Sequence, residues 1–206
     1  MAGLRLGVLV SGGGTTLQNF LDLEKAGALD GEIAVVVSSD PGAGAVARAN
    51  KARKPVQVVP WNKDQTVEVF SERITRVLDK ERADLVLMAG LLRLYRFPQD
   101  YLWRVMNIHP ALLPAFGGRG MYGANVHEAV VKSGVKVTGC TVHFADYAYD
   151  RGPVILQRTC PVRYEDTPET VAKRVFELET EAYPEAVALY ARRKLKVRDG
   201  RVQILP

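Results

Sequence analysis

The chain has 206 residues, of which 47% are hydrophobic and 25% charged, an ordinary globular composition that suits one compact domain with a buried core. Its net charge of +5 comes from dispersed Lys and Arg residues, so we predict attraction for small anionic substrates and no nucleic-acid partner. No apolar stretch approaches the roughly 20 residues of a membrane span, and residues 4–10 lack the features of a secretory signal, so we predict a cytoplasmic protein without a membrane partner.

The first half of the chain alternates strand-like runs with helical patterns. Four short runs rich in Val and Leu have the composition of parallel strands buried on both faces. They are residues 4–10, 33–37, 56–59 and 85–88. Phe70, Ile74 and Leu78 recur at helical spacing between the last two runs. The alternation predicts an α/β fold with an open, mostly parallel sheet and helices on both faces.

A glycine-rich segment, Ser11-Gly12-Gly13-Gly14-Thr15-Thr16, follows the first predicted strand and opens a predicted helix. We call it the glycine loop. Backbone N–H groups and a helix N-terminus can hold a phosphate at such a place. The segment is not a dinucleotide fingerprint, because Leu17 stands where the third glycine is required, and it lacks the Lys of a P-loop. Phosphate binding and a tight turn that binds nothing are both open interpretations.

Two extended strands are predicted in the second half, at residues 135–144 and 154–162. A polar connection, residues 146–153, joins them and ends in Gly-Pro, which is typical of a turn. These strands predict an antiparallel extension of the sheet.

Thr167-Pro168 opens a long helix, since the hydroxyl can cap free N–H groups and proline supplies a preset φ. Residues 198–201, Arg-Asp-Gly-Arg, have the composition of a type I′ hairpin turn. Because no repeat or linker separates them, the halves 1–104 and 105–206 are interpreted as one domain, residues 1–206.

Asn107 and His109 are two polar residues at the end of an apolar stretch, Val105-Met106. In a strand they project from the same face, and Pro110 forbids continuing an ordinary central ladder. The pair is therefore predicted at the carboxyl end of a strand, where open α/β sheets bind ligands. An amide donor and a protonated His are what acyl transfer to an amine needs. A core histidine and an asparagine cap are the alternative interpretations.

A charged His109 needs a nearby carboxylate, because an opposite charge favours the imidazolium. The two candidates are Asp146 and Asp150 in the polar connection. Both are aspartates, so the residue type does not show which of them pairs with His109. Either would serve if the connection folds over the strand that carries His109.

Three segments together resemble the folate-dependent formyltransferases, and the resemblance runs from the first strand through Tyr183-Pro184. They are Asn107-Ile108-His109-Pro110-Ala111-Leu112-Leu113-Pro114, Thr141-Val142-His143-Phe144 and Asp150-Arg151-Gly152-Pro153-Val154-Ile155-Leu156-Gln157. Within the family, they resemble the branch of purine biosynthesis that acts on glycinamide ribonucleotide. The resemblance implies a Rossmann-like fold and 10-formyltetrahydrofolate as the co-substrate whose formyl group is transferred to the amine of that sugar phosphate.

The resemblance also implies roles for matching positions. Asn107 and His109 form the catalytic pair, and Asp150 rather than Asp146 is their carboxylate. The implied ribonucleotide-binding residues are Gly14, Thr15 and Thr16, which hold the phosphate, and Glu179. The implied folate-binding residues are Leu92, Arg93, Leu94, Tyr95 and Asn107. His143 is placed near the site, either as support or as core packing, and Thr16 stands where the family commonly has Asn.

Other functions are weighed against this one. A formyltetrahydrofolate deformylase usually carries an added amino-terminal domain, and a tRNA-modifying formyltransferase an added carboxyl-terminal domain, for which the predicted elements leave little room. A silent nucleotide-binding module would need the glycine loop but not Asn107, His109 and Asp150. No metal is predicted, because the His, Cys and carboxylate spacings lack a ligand pattern. We expect a monomer or a homodimer.

Overall fold

The computed structural model describes residues 3–206. The chain forms two compact units, Met1–Met106 and Asn107–Pro206. The interpretation of residues 1–206 as one domain stays a prediction. Within the described residues 3–206, every helix is too short or too polar to span a lipid bilayer.

The first unit alternates strands and helices as predicted. Its elements are β1 (Arg5–Val10), α1 (Thr15–Lys25), β2 (Glu32–Ser38), α2 (Gly44–Lys51), β3 (Val56–Val58), α3 (Val67–Lys80), β4 (Leu85–Met88) and a 3-10 turn (Gln99–Tyr101). The last turn leads into β5 (Val105–His109), which crosses the boundary between the units. Along α3 the predicted residues Phe70, Ile74 and Leu78 are buried, because their spacing places them on one face of the helix.

The second unit contains two helices and two antiparallel strand pairs. Its elements are α4 (Ala124–Ser133), β6 (Val137–Phe144), β7 (Val154–Pro161), α5 (Pro168–Ala191), β8 (Leu195–Arg198) and β9 (Arg201–Ile204). Helix α5 packs on β6, β7 and α4. Thr167 caps it by accepting from the Thr170 N–H, and Asp199 and Gly200 both have positive φ, so the predicted cap and hairpin turn are confirmed.

Seven strands form one sheet in the order β3-β2-β1-β4-β5-β6-β7, and β8 and β9 form a separate pair. β1 pairs in parallel with β2 and β4, and β2 with β3. β6 and β7 pair antiparallel. The predicted fold class, a Rossmann-like and mostly parallel sheet with an antiparallel extension, is confirmed. The chain reverses its direction of winding between β1 and β4, and the loops after such strands are where ligands bind in open α/β sheets.

Candidate active site

Strand β5 ends at His109, and Pro110 follows it as predicted. His109 is buried with 3% of its surface exposed, whereas Asn107 is half-buried. The strand therefore delivers one amide and one imidazole to its carboxyl end, the position from which β-strands of such sheets supply ligand-binding groups.

His109 lies between two oxygen acceptors. Its Nε2 donates a hydrogen bond to the Phe116 carbonyl at 2.8 Å, because a carbonyl can only accept. Its Nδ1 faces Oδ2 of Asp150 at 3.6 Å. A neutral imidazole would turn a lone pair toward one of these oxygens, so the surroundings suit the doubly protonated ring.

Asp150 is fixed by two further groups. The Gly118 N–H donates to Oδ2 at 2.8 Å, and Nδ2 of Asn107 donates to Oδ1 at 3.4 Å. The backbone of Asp150 has a φ of 56°, in the left-handed region that costs a non-glycine residue energy and clusters at functional sites. Asp146 instead accepts from the Ala148 N–H within its own turn. Of the two carboxylates that the sequence offered, Asp150 is the one beside His109.

His143, on β6, orients Asn107. Its Nδ1 donates to the Phe144 carbonyl at 2.8 Å, which leaves Nε2 as the acceptor for Nδ2 of Asn107 at 3.0 Å. Burial lowers the pKa of His143 below its ordinary value, which keeps the ring neutral and preserves this acceptor. His143 therefore supports the site by contact with Asn107, and its place in the strand also makes it part of the core.

Thr141 and Gln157 hold the segment that follows β5. The Thr141 hydroxyl donates to the Ala111 carbonyl at 2.7 Å and accepts from the Leu113 N–H at 3.0 Å. Nε2 of Gln157 lies 3.0 Å from both the Leu113 carbonyl and the Thr141 hydroxyl. The anchored segment continues to the Phe116 carbonyl and the Gly118 N–H, which contact His109 and Asp150.

Gly117 belongs to the same segment, and there is little space for a side chain at this position. A Cβ at this position would lie 2.4 Å from Cδ2 of Leu113 and 3.3 Å from Cβ of Asp150. A side chain here would displace the end of Leu113 and press on Asp150, so glycine allows the segment to approach Asp150 without these shifts.

The sequence analysis did not identify the backbone groups of Phe116 and Gly118 or the anchoring role of Thr141. A backbone donor or acceptor has no side-chain pattern by which a sequence could reveal it. Thr141 and His143 did offer a signal, because they are polar residues two positions apart in an apolar run, the same spacing as Asn107 and His109.

In the first unit, the glycine loop connects β1 to α1 as predicted. Gly14 has a φ of 76° and precedes the first helical residue, Thr15, and among residues 3–206 no side chain caps this helix. The Ser11 hydroxyl lies 2.6 Å from that of Ser39 after β2, and it accepts from the Leu92 N–H after β4 at 3.1 Å. The loops that follow β1, β2 and β4 are thus joined, and the glycine loop contacts the first residue of the predicted folate segment.

The predicted folate segment, residues 92–95, has both exposed and buried members. Leu92 and Arg93 are exposed, and the Arg93 guanidinium stacks 5.1 Å from the ring centre of Trp61. Tyr95 is buried, and its hydroxyl lies 2.9 Å from that of Thr75 on α3. The Tyr95 side chain is therefore part of the core of the first unit.

Glu179 lies on α5 in the second unit and is half-buried. Withdrawal of its carboxyl group from water raises the pKa of Glu179 to about 7, because burial disfavours the charged form. Perturbed carboxyl groups of this kind cluster at functional sites. Within the described part of the chain, no cluster of three or more His, Cys, Asp or Glu side chains could hold a metal ion.

Known proteins resemble this chain over most of its length. A formyltetrahydrofolate deformylase from Pseudomonas syringae pv. tomato str. DC3000 superposes with a TM-score of 0.86 over 99% of this chain and 66% of its own, but its 22% identity indicates a shared fold only. Glycinamide ribonucleotide transformylase 1 from Symbiobacterium toebii superposes with a TM-score of 0.90 at 38% identity, over 99% of this chain and 95% of its own.

Comparison of sequences also finds formyltransferases. The chain is 37% identical over 204 residues to the chloroplastic phosphoribosylglycinamide formyltransferase of Arabidopsis thaliana. This alignment covers 98% of this chain and 70% of that protein. The sequence profile described as Formyl transferase matches residues 4–187. This match includes β1, the glycine loop, Asn107, His109 and Asp150, and the chain therefore belongs to the formyl transferase family.

Proposed function

We propose that this chain transfers the formyl group of 10-formyltetrahydrofolate to the amine of glycinamide ribonucleotide, giving formylglycinamide ribonucleotide and tetrahydrofolate in purine biosynthesis. The observation that carries the proposal is the pair of acceptors around His109, the Phe116 carbonyl at 2.8 Å and the Asp150 carboxylate at 3.6 Å. These two oxygens favour the protonated form of His109, and formyl transfer to an amine needs a proton donor at this place. The names and coverage of the relatives from Arabidopsis thaliana and Symbiobacterium toebii support the substrates.

In the proposed reaction, the substrate amine attacks the formyl carbon and the formyl oxygen becomes negative. Nδ1 of His109 has the longer of the ring's two contacts, so we assign its proton to the folate nitrogen that leaves. His109 then takes up the proton that the former amine loses, and the site returns to its starting state. Both C–N bond changes and both proton movements are balanced in this scheme.

Asn107 is assigned to the negative oxygen. Of the two contacts of its Nδ2, the one to Asp150 is long at 3.4 Å, whereas the one to His143 is 3.0 Å. The N–H on the Asp150 side is therefore the one that a tetrahedral oxyanion can recruit. Donors directed at a developing oxyanion are among the largest contributors to acyl-transfer catalysis.

The remaining assignments concern substrate binding. We assign the acceptor's phosphate to the glycine loop at Gly14, Thr15 and Thr16, and the ribonucleotide also to Glu179. The formyl-folate is assigned to residues 92–95 together with Asn107. The open backbone at the α1 N-terminus and the bond between Ser11 and Leu92 support a ligand site at the β1 and β4 loops.

Release of tetrahydrofolate, followed with and without glycinamide ribonucleotide, tests the proposed function. We expect release only when the ribonucleotide is present, with one formamide formed for each folate released. Release that is independent of the ribonucleotide would identify a deformylase, and no release at all would favour a non-catalytic module.

The role of Asn107 is tested by Asn107→Ala. Loss of one oxyanion donor is expected to lower kcat on the order of 100-fold or more. Asn50→Ala, an exposed position on α2, is the matched control and should leave kcat unchanged. An Asn107→Ala enzyme with the turnover of the control would remove Asn107 from the oxyanion site.

We also propose a cytoplasmic monomer or homodimer that binds neither nucleic acid nor membranes. The positive charge is dispersed along the sequence and not clustered, which supports the absence of a nucleic-acid partner. Light scattering across a range of protein concentrations distinguishes the monomer from the homodimer.

A further inference from the structure

Helix α2 binds two carbonyl groups of the glycine loop. The Ala45 N–H donates to the Gly12 carbonyl at 3.1 Å, and Nε of Arg48 donates to the Gly13 carbonyl at 2.8 Å. The Arg48 guanidinium also donates through Nη1 to Oε1 of Gln18 on α1 at 3.1 Å. α2 therefore fixes the orientation of two consecutive peptide groups of the loop.

These two hydrogen bonds determine where the loop's N–H groups point. In a trans peptide, the carbonyl and the following N–H point in opposite directions. With the Gly12 and Gly13 carbonyls turned toward α2, the N–H groups of Gly13 and Gly14 are turned away from it. Consecutive N–H groups form an anion-binding concavity, and the first N–H groups of α1 have no partner within their own helix.

Close packing keeps the loop against α2. A Cβ on Gly14 would lie 2.7 Å from both Cα and Cβ of Ala45, so this position admits only glycine, which also has the required φ of 76°. At this separation, Arg48 reaches the loop directly, and its planar guanidinium binds the loop and α1 at once.

We propose that Arg48 is a positioning residue for the phosphate of the acceptor substrate. Its Nε holds the Gly13 carbonyl and thereby directs the Gly14 N–H at the phosphate monoester. Arg48 acts through the peptide group and is not assigned a contact with the phosphate. The inference rests on the proposed function, because it concerns how that substrate is held.

Kinetics with two acceptors test the role of Arg48. They are glycinamide ribonucleotide and the matching riboside that lacks the phosphate. Arg48→Met should raise KM for the ribonucleotide about tenfold, the effect of losing one charge-assisted hydrogen bond, with little change in kcat. The kcat/KM for the riboside should not change, because that acceptor has no phosphate to position. A purely structural role would lower kcat/KM for both acceptors equally and would overturn the proposal.

Two further variants separate the causes. Lys51→Met removes a positive charge from the exposed side of the same helix and should leave both acceptors unaffected. Arg48→Lys keeps the charge but lacks the Nε donor, so it should show the same rise in KM for the ribonucleotide and, as the milder change, serves if Arg48→Met does not fold. A wild-type KM in Arg48→Lys would mean that charge alone acts and would contradict the positioning role. Absence of ribonucleotide-dependent turnover in the wild type would instead refute the proposed function.

Discussion

The Asp150 carboxylate lies 3.6 Å from Nδ1 of His109, and the Gly118 N–H holds the same oxygen at 2.8 Å. The distance to His109 is that of an ion pair and is longer than a hydrogen bond. Both side chains are almost withdrawn from water, with 4% and 10% of their surfaces exposed. Charges interact more strongly in such surroundings than at the surface, so Asp150 can stabilise a charged His109 without binding its proton tightly.

Asp150→Asn should therefore lower kcat on the order of 100-fold, because the charged ring loses its anionic partner while the side chain keeps its shape. Asp146→Asn is the matched control, since Asp146 lies in the same connection but bonds to the Ala148 N–H. We expect that control to retain most of its turnover. Equal losses in the two variants would show that the charge of the connection matters and that Asp150 has no special role.

Thr141 provides a test of how the segment after β5 is held. Thr141→Val keeps the shape of the side chain but removes the bonds to the Ala111 carbonyl and the Leu113 N–H, both buried. We expect the free energy of unfolding to fall by about 2 kcal/mol, the usual cost of leaving buried polar groups unpaired. kcat should fall as well, because the same segment carries the Phe116 carbonyl and the Gly118 N–H.

The control for Thr141→Val is Thr159→Val, an exposed position on the neighbouring strand β7. Urea unfolding and steady-state kinetics of the two variants give the comparison. If Thr141→Val is as stable and as active as Thr159→Val, the hydroxyl does not anchor the segment.

The parts of the site that could be predicted are those set by local pattern. Asn107 and His109 lie two positions apart at the end of an apolar strand, and strand geometry alone puts them on one face. The strands, the Thr167 cap and the Asp199-Gly200 turn were likewise predictable, because neighbouring residues determine them.

The choice of Asp150 over Asp146 has a different origin. Asp150 and Phe116 both adopt positive φ, a conformation that is uncommon outside glycine, that Phe in particular disfavours, and that contacts distant in sequence support. The Gly118 N–H that holds Asp150 is 32 positions away in the chain. No local pattern specifies such a pairing, so only the folded chain, or the family resemblance, could select this carboxylate.

His143 predicts a pH dependence of stability. Burial lowers its folded-state pKa, whereas a histidine in the unfolded chain titrates near about 6.5. As the pH falls below that value, the unfolded chain takes up the proton first, so the free energy of unfolding decreases until the folded-state pKa is reached. Above about pH 6.5 His143 is neutral in both the folded and the unfolded state, so it contributes no pH dependence to the free energy of unfolding.

In His143→Gln this contribution is absent, so the free energy of unfolding should fall less steeply than in the wild type as the pH drops below about 6.5. His127, whose pKa burial also lowers, is present in both proteins and cancels in the difference. Urea unfolding at several pH values measures the two slopes. Identical slopes would mean that His143 titrates alike in the folded and unfolded states.

Glu179 predicts the opposite sign of pH dependence. Its pKa is raised from 4.5 to about 7 by burial, so the folded state holds a proton that the unfolded chain has already released between these values. The stability that this proton gives is complete below about pH 4.5, is lost as the pH rises to about 7, and is constant above that.

Glu179→Gln keeps the shape of the side chain without a charge to bury, so it should be more stable than the wild type at neutral pH and above, by on the order of 2 kcal/mol. If Glu179 binds the ribonucleotide as proposed, KM for that substrate should rise about tenfold in the same variant, because a charged acceptor becomes a neutral amide. Glu181→Gln, exposed on the same helix, should change neither quantity. A more stable variant with an unchanged KM would show that Glu179 is a buried carboxyl group without a binding role. A gain in stability together with a higher KM would indicate that the carboxyl group is buried in order to bind the substrate.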